Sequence, residues 1–165
     1  MHQEFTHHGL LGDIENQLTQ TGTTEAGLKA VLDQVLDSLD CAAGTIHSLD
    51  SHLQMLHLYT RRNIPDGLLP RIQQIPVGKG MAGLAAERCC PVQVCNLQTD
   101  TSGVAKPGAK ETGMEGSIAV PILVGDRVVG VLGVAKPSAY EFKETEIALL
   151  LDVGGVIGRF MVCSE

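Results

Sequence analysis

Apolar residues recur at helical spacing over residues 24–39, TEAGLKAVLDQVLDSL, where Leu28, Val31, Leu32, Val35, Leu36 and Leu39 share one face behind Thr23 and Thr24, either of which suits an N-cap. The spacing predicts an amphipathic helix. A weaker helical pattern precedes it, with Leu10, Leu11, Ile14 and Leu18, and breaks at Thr21-Gly22-Thr23. The period then changes. CAAGTIHSL (41–49) and LQMLHLYT (53–60) read as strands joined by the polar turn Asp50-Ser51-His52, hence a hairpin. Pro65-Asp66-Gly67 marks a turn and short helix within 61–74, ahead of a strand fragment at Ile75-Pro76-Val77.

Farther along, MAGLAAERC reads as a short helix and PVQVC as a strand. Residues 96–116 form a long polar loop with one short helix around 108–114, and loops of that length in a compact domain tend to serve function. SIAVPILV (117–124) and RVVGVLGVA (127–135) make a second hairpin across the Gly-led turn Gly125-Asp126. Pro121 marks an edge or bulge position, because proline lacks the amide that a sheet ladder needs. A helix from about Lys143 to Val162 closes the chain.

One motif invites a nucleotide. Gly78-x-Gly80-x-x-Gly83 in PVGKGMAGLAAE matches the dinucleotide fingerprint, and Asp100 stands near the expected distance. That fingerprint works only between parallel strands, with the acid at the end of the second. Here the preceding strand is a fragment, Asp100 falls inside the long loop, and the remaining strands are hairpins. The glycines are therefore read as backbone positions that turn a strand sharply into a helix packed close to the sheet.

Composition narrows the partners. The 165 residues suit a single domain, and a net charge of −7 leaves no basic stripe for nucleic acid or anionic lipid. The most apolar region, 147–157, is shorter than the roughly 20 residues a bilayer needs. The N-terminus shows no secretory signal, so the expectation is a cytoplasmic protein with neither nucleic-acid nor membrane partners. Five cysteines are an odd number for a disulfide framework. The cluster Cys89, Cys90, Cys95 lacks the paired spacing of a zinc site and reads as small, buried or half-buried residues on a helix end and a strand. His47 and His57 lie on adjacent predicted strands, but nothing supplies the further ligands a metal requires, and no metal site is assigned. Met55 and Met81 read as core filling, while Met114 sits beside the long loop.

Taken in order, IPVGKGMAGLAAE, PVQVCNLQTD, SIAVPILVGDRVVGVLGVAKP and FKETEIALL make the chain resemble the GAF domain family over roughly residues 20–162. The resemblance implies an α+β fold: a central antiparallel sheet of five or six strands, terminal helices on one face, and a small-molecule pocket on the other, roofed by 61–74 and 96–116. It divides the chain into an N-terminal segment, 1–20, and one domain over 21–163. The role it implies is a sensory or regulatory module that binds a small molecule, with no cofactor identified, and signals through its terminal helices to a fused or separate output domain.

The family also contains free methionine-R-sulfoxide reductases, whose thiols lie in the glycine turn, at the next strand and in the long loop. The matching positions are Ala82, Val92 and about Lys110, none of them cysteine. A thiol-dependent reductase is therefore the alternative reading, and the expectation is a binding module rather than an enzyme. Cyclic-nucleotide-binding members are matched loosely by Lys136, Phe142 and Glu144, with Ala135 and Lys143 departing from their pattern. Bilin-binding members attach pigment through a Cys followed by His, a pair missing here.

Asn96, Asp100, Thr101, Ser102, Thr112, Met114 and Ser117 gather polar groups around the glycine-containing loop and are the candidate ligand-binding residues. The closing helix carries two apolar stripes. Phe142, Leu149, Leu150, Val153, Val156, Ile157 and Phe160 form one; Ile147, Leu151 and Val162 with Gly154, Gly155 and Gly158 form the other. A helix apolar around most of its girth needs burial on a second side. The expectation is a homodimer through the terminal helices, with the glycine stripe admitting a neighbouring helix and intrachain packing of the first helix as the competing arrangement.

Overall fold

The computed structural model describes residues 2–105 and 107–163. Helix α1 (His2–Thr21) ends where Gly22 takes a φ of +64°, and α2 (Glu25–Ser38) starts behind Thr24, whose hydroxyl accepts from the Gly27 amide at 3.1 Å. The strands are β1 (Ala43–Asp50), β2 (Met55–Arg62), β3 (Gln74–Pro76), β4 (Val92–Val94), β5 (Gly116–Val124) and β6 (Arg127–Lys136). Between β2 and β3 lie a short 3-10 turn (Asp66–Leu68) and α3 (Leu69–Ile72); α4 (Gly80–Arg88) follows β3, and α5 (Pro107–Lys110) sits in the long loop. Helix α6 (Glu144–Cys163) closes the chain.

The six strands form one antiparallel sheet in the order β3-β2-β1-β6-β5-β4. Both predicted hairpins are present. The first turn falls later than the sequence suggests, at 51–54, because the Asp50 carboxylate caps it by accepting from the amides of His52 and Leu53 at 3.0 and 3.1 Å. Pro121 is tolerated because β4 reaches only as far as Ala119 along β5, and the register slips immediately beyond it at Ile122/Leu123.

The period-2 alternation of the strands divides the buried residues between two faces. On one, Ile46, Ile118, Val120, Ile122, Leu132 and Val134 pack against α1, α2 and α6 to form the main core. On the other, Leu56, Ala119 and Val131 meet Ala85 and Ala86 of α4.

The first helix docks within its own chain. Leu10, Ile14 and Leu18 are buried between α2 and α6, and His7 Nε2 lies 3.0 Å from Asp152 Oδ2 on α6. The expected glycine stripe on α6 has a different neighbour. Gly154 and Gly158 face β5, where a Cβ would press on the backbone of Pro121 and Ile122 and on the Val124 side chain, while Gly155 meets nothing. The glycines let α6 approach the sheet rather than another helix. A stripe seen on a helical wheel shows only that a close approach occurs, not what approaches.

Candidate functional site

The face of the sheet opposite α1, α2 and α6 carries a cavity of about 610 Å³. Its floor is made of short side chains at alternate strand positions: Ala43 and Thr45 on β1, Gly133 and Ala135 on β6, Ser117 and Ala119 on β5. Had these positions carried Leu or Ile, the space would be filled by core. Both expected segments roof it, through Ile64, Leu68, Arg71 and Ile72 on one side and Leu97, Ala105, Ala109, Thr112 and Met114 on the other. The start of α4, Lys79 to Ala82, supplies a wall.

The glycine turn explains how α4 reaches the cavity. Gly78 and Gly80 have φ of +91° and +65°, a region that L side chains avoid. Gly83 packs where any Cβ would strike the Pro76 carbonyl, so the helix folds back against β3. The motif shapes backbone, between antiparallel strands, as its sequence context requires.

Of the candidate ligand-binding residues, Thr112, Met114 and Ser117 line the cavity. Asn96, Asp100, Thr101 and Ser102 lie outside the lining and shape the first half of the loop. Asn96 accepts from the Gln98 amide at 2.9 Å through its side chain and from the Asp100 amide at 3.0 Å through its carbonyl. The Ser102 hydroxyl donates to Asp100 Oδ2 at 2.7 Å, and Thr101 is exposed. Thr112 spends its hydroxyl locally, donating to the Ala109 carbonyl at 2.7 Å and accepting from the Met114 amide at 3.1 Å. Met81, expected as core, lines the cavity as well.

Sequence reasoning passed over His47 as a site residue. It sits on β1 at 2 % exposure within the cavity lining, its Nε2 2.8 Å from the Ile72 carbonyl of α3, so it ties roof to floor. Burial pushes its pKa below the ordinary 6.5. The usable signal was the run of short residues around it. A histidine on the same sheet face as Ala43, Thr45 and Ala135 stands over empty space rather than packed core.

The cysteines differ from expectation in burial. Cys89, Cys90 and Cys95 are exposed. Cys89 holds the left-handed position that ends α4, with φ of +54°, and Cys95 follows the buried–exposed alternation of Val92, Gln93 and Val94 onto the exposed side. None of the three lines the cavity, and Cys41 is buried elsewhere, with its pKa pushed up to about 11 by that burial. Lys136 of the loosely matched cyclic-nucleotide set is committed to α2, donating to the Leu39 carbonyl at 2.6 Å and the Asp40 carbonyl at 3.2 Å. No group of His, Cys, Asp or Glu among the described residues is arranged to hold a metal ion, and no helix among them is long and apolar enough to cross a membrane.

Comparison with solved structures agrees with this architecture. The chain is similar to the nlh2 GAF domain of A. Aeolicus in an inactive state, at 22 % identity and TM-score 0.79 over 99 % of each chain. It is similar to the GAF domain of an Acinetobacter phosphoenolpyruvate-protein phosphotransferase, at 18 % identity and TM-score 0.79 over 94 % of this chain and 92 % of that one. It also resembles the free methionine-R-sulfoxide reductase of Neisseria meningitidis in complex with its substrate, at 18 % identity and TM-score 0.76 over 96 % and 89 %. At such identities the likeness carries the fold. No curated protein matches the sequence. A model of the GAF domain family matches residues 23–162, most of the chain, and with the antiparallel sheet, the glycine turn and the covered cavity in place, the protein belongs to the GAF domain family.

Proposed function

We propose that this domain is a sensory or regulatory module that binds a small molecule in the cavity and passes the event to its terminal helices. The cavity itself carries the reading. Its volume of about 610 Å³ falls within the range of roughly 300–1,000 Å³ typical of ligand sites, and its walls are apolar with a few polar groups. It lies across the sheet from α6, which packs on β5 and β6, so a change in strand positions beneath a ligand reaches α6 directly and α1 through α6. The same reading takes the domain as a homodimer through α1 and α6, acting on a fused or separate output domain. Supporting it are Leu11, Ile147, Leu151 and Met161, which stay half-buried on those helices after α1 has docked.

A thermal-shift screen against a broad metabolite library is the direct test. A true ligand at 100 times its dissociation constant adds about 2.7 kcal/mol of stability. A library in which nothing raises the midpoint would remove the binding role. The reductase alternative is tested separately: dithiothreitol-dependent turnover of free methionine-R-sulfoxide, lost in Cys95→Ser, would replace this reading with an enzymatic one. What supports the binding module over the enzyme is that no cysteine stands among the cavity-lining residues.

A further inference from the structure

His47, one of the lining residues, has an unmet hydrogen-bonding atom. Its Nε2 contacts a carbonyl oxygen, which can only accept, so Nε2 carries the proton and Nδ1 holds a lone pair. Nδ1 is buried and has no hydrogen-bond partner among the described residues. A buried acceptor left unpaired is costly, and a ligand that offers an N–H or O–H recovers that cost.

A second unfilled position lies at the start of α4. Lys79 caps the helix without a side-chain hydrogen bond, and the first helical amide to bond back is that of Gly83, to the Lys79 carbonyl at 3.1 Å. The amides of Gly80, Met81 and Ala82 have no partner among the described residues, and all three residues line the cavity with Lys79. Free amides at the positive end of a helix dipole attract anions.

Charge in the lining points the same way. The chain has 19 acidic and 12 basic residues, yet Arg71 and Lys79 are the charged side chains of the lining, and no carboxylate is among them. Arg71 is held by Glu111 at 2.9 Å, whereas Lys79 has no ion pair among the described residues. A ligand ammonium would sit there without a counter-charge, which disfavours a cationic donor at His47. Ile64, Leu68, Ile72, Ile75 and Met81 require an apolar body between the two ends.

Building on the small-molecule reading above, we propose that the cavity takes a small organic carboxylate with an apolar body and a neutral hydroxyl or amide N–H. The carboxylate sits on the free amides of α4 beside Lys79, and the neutral donor pairs with His47 Nδ1.

The test is calorimetric titration with matched probes: 4-hydroxyphenylacetate, 3-(4-hydroxyphenyl)propanoate and 3-phenyllactate, which span different donor-to-carboxylate distances, against phenylacetate, 4-hydroxyphenylacetamide and tyramine. At least one hydroxy acid is expected to bind about tenfold or more tightly than all three controls, the scale of one well-placed hydrogen bond. On binding, the ¹⁵N resonance of His47 Nδ1 in the unaltered protein should move upfield and the amide signals of Gly80, Met81 and Ala82 should shift. Lys79→Gln, an exposed substitution, should weaken the preference for acid over amide while keeping the preference for hydroxyl. Equal binding of phenylacetate, of the amide or of tyramine would overturn the proposal, as would no binding by any probe. A ligand of another class found in the metabolite screen would sink this proposal and leave the binding role standing; an empty screen would sink both.

Discussion

Lys136 is a charged side chain at 8 % exposure that forms no carboxylate pair among the described residues. Its ammonium instead donates to the Leu39 and Asp40 carbonyls at the C-terminal end of α2 and lies 4.5 Å from the Tyr140 ring centroid, so a helix dipole and a π-face replace the missing anion. Lys136→Met keeps the stem and orphans those carbonyls, and should cost about 2 kcal/mol in urea unfolding. His47 makes a pH-dependent contribution. The unfolded chain takes up a proton as pH falls through 6.5, whereas the folded ring, its pKa lowered by burial and further by His57, resists it. Stability is therefore full above pH 6.5 and declines as pH drops below it. His47→Phe should flatten that decline between pH 7 and 5 relative to the unaltered protein, measured by denaturant midpoints. Thiol labelling of the native protein should modify Cys89, Cys90, Cys95 and Cys163 and spare buried Cys41, whose pKa near 11 leaves little thiolate.

At the scale of elements, what the sequence discloses depends on whether an element's signal is local. Helix α2 and both hairpins are legible because their periodicity is carried by large residues such as Leu32, Ile46 and Leu132. The full length of α1 is not, since its apolar stripe covers only residues 10–18 and its first turns are polar. The cavity floor escapes for the opposite reason. Ala43, Gly133, Ala135 and Ala119 look like weak strand formers, and their function is the volume they leave empty. Asn96, Asp100 and Ser102 stand out by their polarity, but short polar side chains in a loop commonly bond within the loop: Asn96 and Ser102 accept from the amides of Gln98 and Val104, and Asp100 accepts from the Ser102 hydroxyl. The glycine turn is legible as backbone geometry, and it yields a test. Gly80→Ala places a Cβ at a φ of +65°, which should cost roughly 1–2 kcal/mol where a compatible site would gain. Far-UV circular dichroism melts would reveal it, and an unchanged or raised midpoint would mean the turn does not depend on that conformation.

For the whole molecule, the proposed dimer asks α1, already docked on α2 and α6, and α6, already docked on the sheet, to pair with a second copy as well. Ile14 and Leu18 are fully covered by α2 and α6 of their own chain, so a dimer does not need to exchange α1. In the proposed dimer the pairing surface comes from residues left half-buried, Leu11, Ile147, Leu151 and Met161. These two sets make separable demands. Ile14→Ala removes buried volume and should cost about 2–5 kcal/mol without altering assembly, because its contacts lie within one chain. Leu151→Glu places a charge on the outer row and should convert a dimer to a monomer with little change in unfolding midpoint. Sedimentation velocity at micromolar concentration decides it. A dimer in the unaltered protein and in Ile14→Ala, with a monomer in Leu151→Glu, is the expected set. If the unaltered protein sediments as a monomer, signalling through paired helices falls. Binding in the cavity, on the far face of the sheet, would be unaffected, and any output would then have to travel along a single α6.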